Sequence, residues 1–235
     1  MKKIWYKSSQ VKIAKCYFDS LNEACKLLGI SLFGQLKQEL LSDFAKVTKL
    51  AGYEFTKYVK YKDEGKIIAL RGLNVKKGKI VLDNVKYIDE SNFSKLERSK
   101  LVKNDILFTY VGTIGEVGLI CEEDKFYLAP NVAMIRINKE YIKPKYLLYL
   151  LQSSKFRHRE INKWLESSSM KNLTMENIRK FNIVIPPLHI QDYVVSILDK
   201  FDKLVNDINE GLPKEIELRQ KQYDYYRERL LNFPK

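Results

Sequence analysis

The feature that most constrains this 235-residue chain is a series of apolar residues near its C-terminus, spaced at alternating steps of four and three. This spacing places the side chains along one stripe of a helix, and a stripe this long requires a partner helix. The first part of the series comprises Val194, Leu198, Phe201, Val205, Ile208 and Leu212; a second part, one step out of phase, comprises Ile216, Tyr223, Tyr226 and Leu230. We call these ten residues the seam.

A break between the two parts of the seam has a local cause. Gly211 suits the position just past a helix end, and Pro213 tolerates the first turn of a new helix but not its interior. The phase change across them is a four-residue stutter, which resets the phase of a supercoil. We therefore expect two helical segments. Periodicity alone favours an intermolecular coiled coil and an amphipathic pair folded onto its own domain equally.

Charge divides the chain unevenly. The net charge is +13, and residues 41–188 carry 27 of the 42 Lys and Arg but 17 of the 29 Asp and Glu, a net +10. Residues 189–235, which we call the arm, carry eight basic and nine acidic side chains and are therefore nearly neutral. The asymmetry favours binding of a polyanion by the preceding domain, which we call the body, and binding of a protein by the arm. The alternative is that scattered surface lysines serve only solubility.

Short apolar runs separated by turn residues predict the fold of the body. Turn signals fall at Lys77-Gly78 and Asp83-Asn84. Helices are expected at 144–152 and 154–164, and Thr174 is expected to cap a short helix that ends near Lys180. The predicted strands are Ile67–Leu70, Ile80–Leu82, Val85–Ile88, Ile106–Tyr110, Gly118–Ile120, Ala133–Ile137 and Asn182–Ile185. The predicted class is α+β: an irregular, mostly β domain over 40–188, followed by a long helical, coiled-coil-like arm over 189–235.

Residues 1–39 are predicted to form a helical extension. Helical spacing occurs at 21–28 and again at 36–44, and Glu23 to Ser31 resembles the first helix and turn of a helix-turn-helix. The stretch that follows has few side chains suited to reading bases. An appended helix is therefore the favoured interpretation, and a stand-alone DNA-binding regulator that uses residues 23–40 is the alternative.

No catalytic or metal-binding pattern emerges from the sequence. Ile185-Pro186-Pro187-Leu188 lacks the polar residue of an adenine-methyltransferase motif, and the Glu-Gly-Lys and Glu-Asp-Lys triplets lack the upstream acid of a nuclease. The two histidines and three cysteines have no metal-ligand spacing. No run approaches 18 apolar residues, and residues 1–10 lack the apolar core of a signal peptide. We expect no enzyme activity, cofactor or membrane contact, and a cytoplasmic location.

Four stretches have the composition of DNA contacts. Lys57 and Lys60 lie among aromatics and suit phosphates. Arg71 and Asn74 follow a strand, where arginine could pair with guanine and asparagine with adenine. The other DNA-binding candidates are Lys76, Lys77 and Lys79 after the same strand, Tyr110 and Thr113 in a glycine-containing loop, and Lys163, Ser167, Ser168, Ser169 and Lys171 in a polar loop. An ordinary hairpin turn explains the glycine-containing loop nearly as well, and a flexible linker is the alternative for the polar loop.

Several motifs resemble one family. The arm segments IPPL..Q...V.ILD.F..L and GLPKEIELRQKQYDYYRERLL are similar to the conserved helical region of type I restriction-modification DNA-specificity (S) subunits. Upstream, LSDFAKVTKLAGYEFTKYVKY, IALRGLNVKKGKI, NDILFTYVGTIGEVGLI and YLAPNVAMI resemble that family's target recognition domain. A complete S subunit carries two of each, so one of each resembles a half-subunit or a truncated form.

The resemblance implies a non-catalytic subunit of a restriction system. It would read one part of a split site in double-stranded DNA and direct methyltransferase (M) and restriction/motor (R) subunits to it. S-adenosylmethionine, ATP and Mg²⁺ would belong to those partners, and none to this chain. Pairing of two arms would give a homodimer. A truncated specificity subunit without function, making only helical contacts, is the further alternative.

Overall fold

The structure is a computed structural model that describes residues 37–50, 52–88, 97–123, 125–165 and 172–200, together with 202 and 221. The chain divides into two compact units, residues 1–192 and 193–235. In chain order the strands are β1 (Lys37–Leu40), β2 (Ala45–Lys49), β3 (Tyr61–Lys62), β4 (Ile67–Leu70), β5 (Val75–Lys76), β6 (Lys79–Ile80), β7 (Lys86–Ile88), β8 (Ile106–Thr109), β9 (Val117–Leu119), β10 (Phe126–Leu128), β11 (Val132–Ile137) and β12 (Asn182–Ile185).

The first unit also contains six short helices among its described residues. They are α1 (Leu41–Phe44), α2 (Gly52–Tyr58), α3 (Pro144–Gln152), α4 (Ser154–Phe156), α5 (Asn162–Leu165) and α6 (Met175–Arg179). A π-helical turn, Arg157–Ile161, joins α4 to α5, and a 3₁₀ turn, Gly72–Asn74, precedes β5. Residues 188–192 are helical as well. The predicted α+β class is confirmed.

Two four-stranded sheets form the centre of the first unit. One has the order β2-β11-β8-β9 and is antiparallel throughout. The other has the order β10-β4-β7-β3, with β10 and β4 parallel. Side chains from both sheets meet in one apolar cluster, and this shared core holds the two sheets together. It contains Ile68, Leu70, Val75, Leu101, Leu107, Ile120, Phe126, Leu128, Val132 and Met134.

Strand β4 is buried on both faces, which explains its uninterrupted apolar sequence. Because side chains alternate across a strand, Ile68 and Leu70 enter the shared core while Ile67 and Ala69 face the opposite way. That second face is covered by Phe55, Tyr58 and Val59 from α2 and the residue after it. Helix α2 thereby fixes the position of the segment that leads into β3.

Aromatic packing attaches the remaining helices to the first sheet. The rings of Phe108 on β8 and Phe181 have centroids 5.7 Å apart, and Phe156 on α4 meets Phe181 edge to face at 5.3 Å. Such pairs contribute about 0.5–1.5 kcal/mol beyond the area they bury. Helices α4 and α6 therefore lie on the face of this sheet opposite the shared core.

Gln191 is fully buried and serves as a three-way connector within the first unit. Its Oε1 accepts from the Lys143 backbone N–H at 2.8 Å, and its Nε2 donates to the carbonyls of Tyr141 and Pro186, each at 2.8 Å. A buried amide with every group paired specifies one arrangement of its neighbours. The N-terminus of α3 and the segment after β12 are joined in this way.

The structure corrects the predicted N-terminal boundary. Residues 37–40 were expected to be helical and, up to residue 39, to belong to a separate extension. Instead, Lys37–Leu40 form β1 and pair antiparallel with β12, with Leu40 opposite Asn182. Of the described residues 37–44 in the predicted helix, Leu41–Phe44 alone are helical. The last four residues of the segment 23–40 therefore form a strand, and residues 1–36 lie outside the described residues.

The second unit is described over a short part of its length. Residues 193–200, 202 and 221 are helical, as predicted for the arm. Of the seam, Val194 and Leu198 are described and partly buried. The other seam residues lie outside the described residues, as does the predicted break at 211–213: Phe201, Val205, Ile208, Leu212, Ile216, Tyr223, Tyr226 and Leu230.

Candidate nucleic-acid interface

An open cleft of about 430 Å³ lies where loops from both sheets converge. The segment after β4, the loop between β8 and β9, and the turn between β10 and β11 each contribute to its walls. The cleft is lined by Tyr61, Arg71, Gly72, Leu73, Thr109, Val111, Gly112, Thr113, Pro130 and Asn131. Arg71 and Thr113 were predicted site residues, and the structure places them in one cavity.

The Asn74 side chain does not lie at the protein surface, where it was predicted to reach a base edge. Its side chain is fully buried, and its Nδ2 donates to the carbonyls of Val81 at 2.9 Å and Asp83 at 3.1 Å. Its Oδ1 accepts from the Arg71 backbone N–H at 3.2 Å. No edge of the amide is left for an adenine, so the prediction that Asn74 reads a base does not fit this geometry. Asn74 instead shapes the loop that presents Arg71.

Arg71 reaches the cleft with part of its hydrogen-bonding capacity unused. One Nη2 donates to the Asn84 carbonyl, whereas the Nε is buried and has no hydrogen-bond partner among the described residues. Burial raises the pKa of the Tyr61 hydroxyl, and the positive charge of the nearby Arg71 guanidinium partly offsets the rise. A guanidinium has five donors in a fixed fork, which suits the O6 and N7 of guanine.

The loop between β8 and β9 contains two glycines and is closed by side-chain hydrogen bonds. Gly112 and Gly115 adopt positive φ values of 79° and 85°, which glycine allows at little cost. The Thr109 hydroxyl donates to the Thr113 carbonyl and accepts from the Glu116 N–H at 3.0 Å. The loop therefore connects two strands of a hairpin and also forms a wall of the cleft. An ordinary hairpin turn and a ligand-contacting loop are thus compatible interpretations of it.

The side chain of Arg157 stabilises the position of the same loop. Arg157, in the π-helical turn, donates from Nη2 to the Ile114 carbonyl at 2.7 Å. A Cβ at Gly115 would come within 2.9 Å of that nitrogen and of Ile161, so no larger residue fits there without movement. The position of the loop is thus set by the helical layer.

The three lysines after Arg71 form a basic hairpin beside this loop. Lys77 and Gly78 have φ values of 46° and 84°, as a tight two-residue turn requires, which confirms the predicted turn. The Lys77 backbone N–H donates to Glu116 Oε2 at 2.8 Å, and the Gly78 N–H donates to the Val117 carbonyl at 2.8 Å. Lys76, Lys77 and Lys79 are exposed at the surface.

Lys57 and Lys60 lie in the segment that directly precedes Tyr61 in the chain. Both are exposed, and the Lys57 Nζ is 5.2 Å from the ring centroid of Tyr58. Helix α2 buries Phe55 and Tyr58, but Tyr53 is 66% exposed. The lysines therefore point to solvent while two of the four aromatics of this stretch pack on the core.

The polar loop predicted to contact DNA is described only at its ends. Lys163 is exposed on α5, with its Nζ 5.0 Å from the Trp164 ring, whereas Ser167, Ser168, Ser169 and Lys171 lie outside the described residues. The chain returns beside the cleft, because the Leu173 N–H donates to the Tyr110 carbonyl at 3.1 Å. The Tyr110 ring is half-buried and faces the Lys49 Nζ at 5.8 Å.

Asn131 is a cleft residue that the sequence analysis missed. It is exposed, follows Pro130 in the turn before β11, and has a φ of 70°. The Pro-Asn pair is a turn signal, and asparagine tolerates this conformation better than most residues. The signal was present within YLAPNVAMI, but strand β10 on its other side was not predicted.

Neither a metal site nor a membrane-spanning helix occurs among the described residues. Among the described residues, no group of three or more His, Cys, Asp or Glu side chains could hold a metal ion. In the same part of the chain, no helix combines the length and apolar character needed to cross a membrane.

Comparison with known proteins points in one direction. The family model described as type I restriction modification DNA specificity domain matches residues 38–218. The type I restriction enzyme EcoR124I/EcoR124II specificity subunit of Escherichia coli is 52% identical over 67 residues, which are 28% of this chain and 17% of that protein. The MpnII specificity subunit of Mycoplasma pneumoniae is 34% identical over 124 residues, 52% of this chain and 36% of that protein.

A solved structure shares the fold. The HsdS subunit from Thermoanaerobacter tengcongensis superposes with a TM-score of 0.56 at 14% sequence identity, over 94% of this chain and 54% of that one. The chain thus spans about half of this structural relative and about a third or less of the sequence relatives above.

Proposed function

The chain belongs to the type I restriction modification DNA specificity domain family, and from this premise we propose that it recognises a specific sequence in double-stranded DNA. It would direct methyltransferase and restriction subunits to a split site of which it reads one part. The observation that carries the proposal is the cleft, where Arg71, Thr113 and Asn131 converge next to a hairpin of exposed lysines.

The proposed contacts fall into two groups. Exposed lysines neutralise phosphates and position the protein without reading sequence; these are Lys57, Lys60, Lys76, Lys77 and Lys79. Side chains of the cleft meet base edges in the major groove, with Arg71 on guanine and Asn131 replacing Asn74 as the amide that suits adenine. Thr113 and the loop that contains Lys163, Ser167, Ser168, Ser169 and Lys171 extend this second group, with Tyr110 behind it.

The proposed partners divide the chemistry of the complex. The helical arm docks on methyltransferase subunits, which bring S-adenosylmethionine, and a restriction/motor subunit brings ATP and Mg²⁺. This chain would contribute neither catalysis nor a cofactor. The near-neutral charge of residues 189–235 and their apolar seam support protein contacts for the arm, while the net +10 of residues 41–188 supports DNA contacts for the body.

Arg71→Lys tests base reading against phosphate binding. Lysine keeps the charge but loses the bidentate fork, so binding to random duplex should hold while binding to the cognate site weakens by about 1–3 kcal/mol. Lys57→Ala should instead weaken both duplexes about equally. Competition binding with cognate and random duplexes measures both effects. Equal losses on both duplexes for Arg71→Lys would remove Arg71 from base recognition.

We also propose that the seam pairs with the seam of a second copy. An apolar stripe at alternating steps of four and three is stable only when covered, and antiparallel pairing would give a two-fold symmetric dimer that reads an interrupted palindrome. Light scattering should then report a dimer, and Leu198→Glu with Val205→Glu should yield a monomer with an intact body. A monomer before mutation would contradict self-pairing.

A further inference from the structure

We propose that Leu73 and Val111 are specificity-determining residues that contact the 5-methyl group of thymine. They would lie in the major groove beside the hydrogen-bonding side chains of the cleft. This inference deepens the proposed function and rests on it, since it names the base feature that the apolar part of the cleft would recognise.

The two residues are unusual in their exposure. Leu73 is 45% exposed and Val111 is 36% exposed, and both line the cleft. Of the seven large apolar side chains exposed in the described part of the chain, three line this one cavity, the third being Tyr61. Single exposed apolar residues are common, but several that converge from separate loops mark a binding surface.

Neither residue is free to turn inward. Leu73 sits in the 3₁₀ turn whose next residue, Asn74, is locked by hydrogen bonds to Val81, Asp83 and Arg71. Val111 begins the loop that the Thr109 hydroxyl closes, with Gly112 in a left-handed conformation directly after it. The backbone that carries the exposed methyl groups is therefore held in place before any ligand arrives, which lowers the entropy cost of binding.

The surroundings of the pair select the ligand. A large contiguous apolar patch marks a protein-binding site, but here the apolar side chains alternate with Arg71, Thr113 and Asn131 around a single cleft. The major-groove edge of an A·T pair offers this same mixture: a donor and acceptors for hydrogen bonds, next to one methyl group. The lysine hairpin at Lys76, Lys77 and Lys79 supplies charge complementary to phosphate.

Replacing thymine with deoxyuridine isolates the methyl group. The full chain is first used to select its preferred sequence from a random duplex library, and each thymine of that sequence is then changed singly to deoxyuridine. At one thymine or more, the change should weaken binding about fourfold, the effect of removing one methyl-sized group from an apolar contact. In the Leu73→Ala/Val111→Ala double variant the thymine and deoxyuridine duplexes should bind about equally well, because the contact with the methyl group is already lost.

Two further variants keep the result interpretable. Leu40→Ala alters a residue of similar exposure (41%) on β1, outside the cleft, and should retain the full deoxyuridine penalty. Leu73→Gln with Val111→Ser places polar groups where the methyl groups stood, and it replaces the alanine variant if circular dichroism shows that the latter is unfolded.

The outcomes separate this inference from the proposed function. Sequence-selective binding with no deoxyuridine penalty, with an equal penalty in the double variant, or at a site without A·T pairs would overturn the thymine contact alone. Selection of no sequence at all would overturn the proposed function together with it. Loss of the penalty in the double variant, with the penalty kept in Leu40→Ala, is the supporting result.

Discussion

Arg136→Ala is expected to destabilise the body by about 3–5 kcal/mol, because it leaves a carboxylate buried without its cation. The side chain of Asp105 is 1% exposed, and Arg136 donates to both of its oxygens, from Nε at 2.8 Å and from Nη2 at 2.7 Å. The hydrogen bond with Asp105 raises the pKa of Arg136. Arg136 Nη2 also donates to the Lys100 carbonyl at 2.9 Å, so one side chain connects β11 to the segment before β8.

The measurement is urea unfolding of the full chain. Lys125→Ala is the matched control, since it breaks an exposed pair with Glu122 at 2.7 Å and should cost less than about 1 kcal/mol. Replacing both partners, as in Arg136→Met with Asp105→Leu, should recover much of the loss because no unpaired charge remains. If Arg136→Ala and Lys125→Ala had the same small effect, the buried pair would have no role in holding these strands.

DNA binding should weaken steeply with salt. If about five lysines contact phosphates, the log–log slope of affinity against salt should be roughly −4 to −5, so a rise from 50 to 200 mM would cost about 500-fold. The five exposed candidates are Lys57, Lys60, Lys76, Lys77 and Lys79. Titrating a labelled duplex at several salt concentrations gives the slope directly.

Single substitutions apportion that slope. Each alanine replacement among the five lysines should reduce its magnitude by about one. Lys180→Ala is the control, because Lys180 lies just after α6 and is paired with Glu176. A slope near zero would contradict electrostatic docking of the body, and an equal effect of Lys180→Ala would mean that the charge acts without a defined face.

Local signals predicted α3 and α6 well, whereas α2 was not predicted. Pro144 occupies the first turn of α3, which has the predicted bounds, and Thr174 caps α6 by accepting from the Asn177 N–H at 3.1 Å. Strands with continuous apolar runs, such as β4 and β12, were also found at their predicted bounds. In these cases the information that decides the structure lies within a few residues.

Elements that depend on distant partners were missed or misassigned. Residues 37–40 have helical spacing but form a strand because β12 offers them a pairing edge. Strand β2 alternates Lys and apolar residues weakly, and it is defined by five pairs with β11. Tertiary pairing overrides local preference at both places, and no short-range pattern reports it.

The candidate site shows the same division. A position after a strand was enough to predict that Arg71 lies in a surface loop, but not that the Asn74 side chain, three residues later, turns inward to donate to the carbonyls of Val81 and Asp83. Nor could spacing reveal that Asn131 would meet Arg71 across one cleft, since the loops converge only through the packing of the two sheets.

The proposed function requires that this chain set the DNA sequence on which its complex acts. Genome-wide profiling of methylated sites, in a strain carrying the system with and without this gene, measures whether it does so. Methylation at one split sequence should disappear on deletion and return when the intact gene is restored, but not with a variant lacking Arg71 and Asn131. An unchanged methylation pattern after deletion would contradict it.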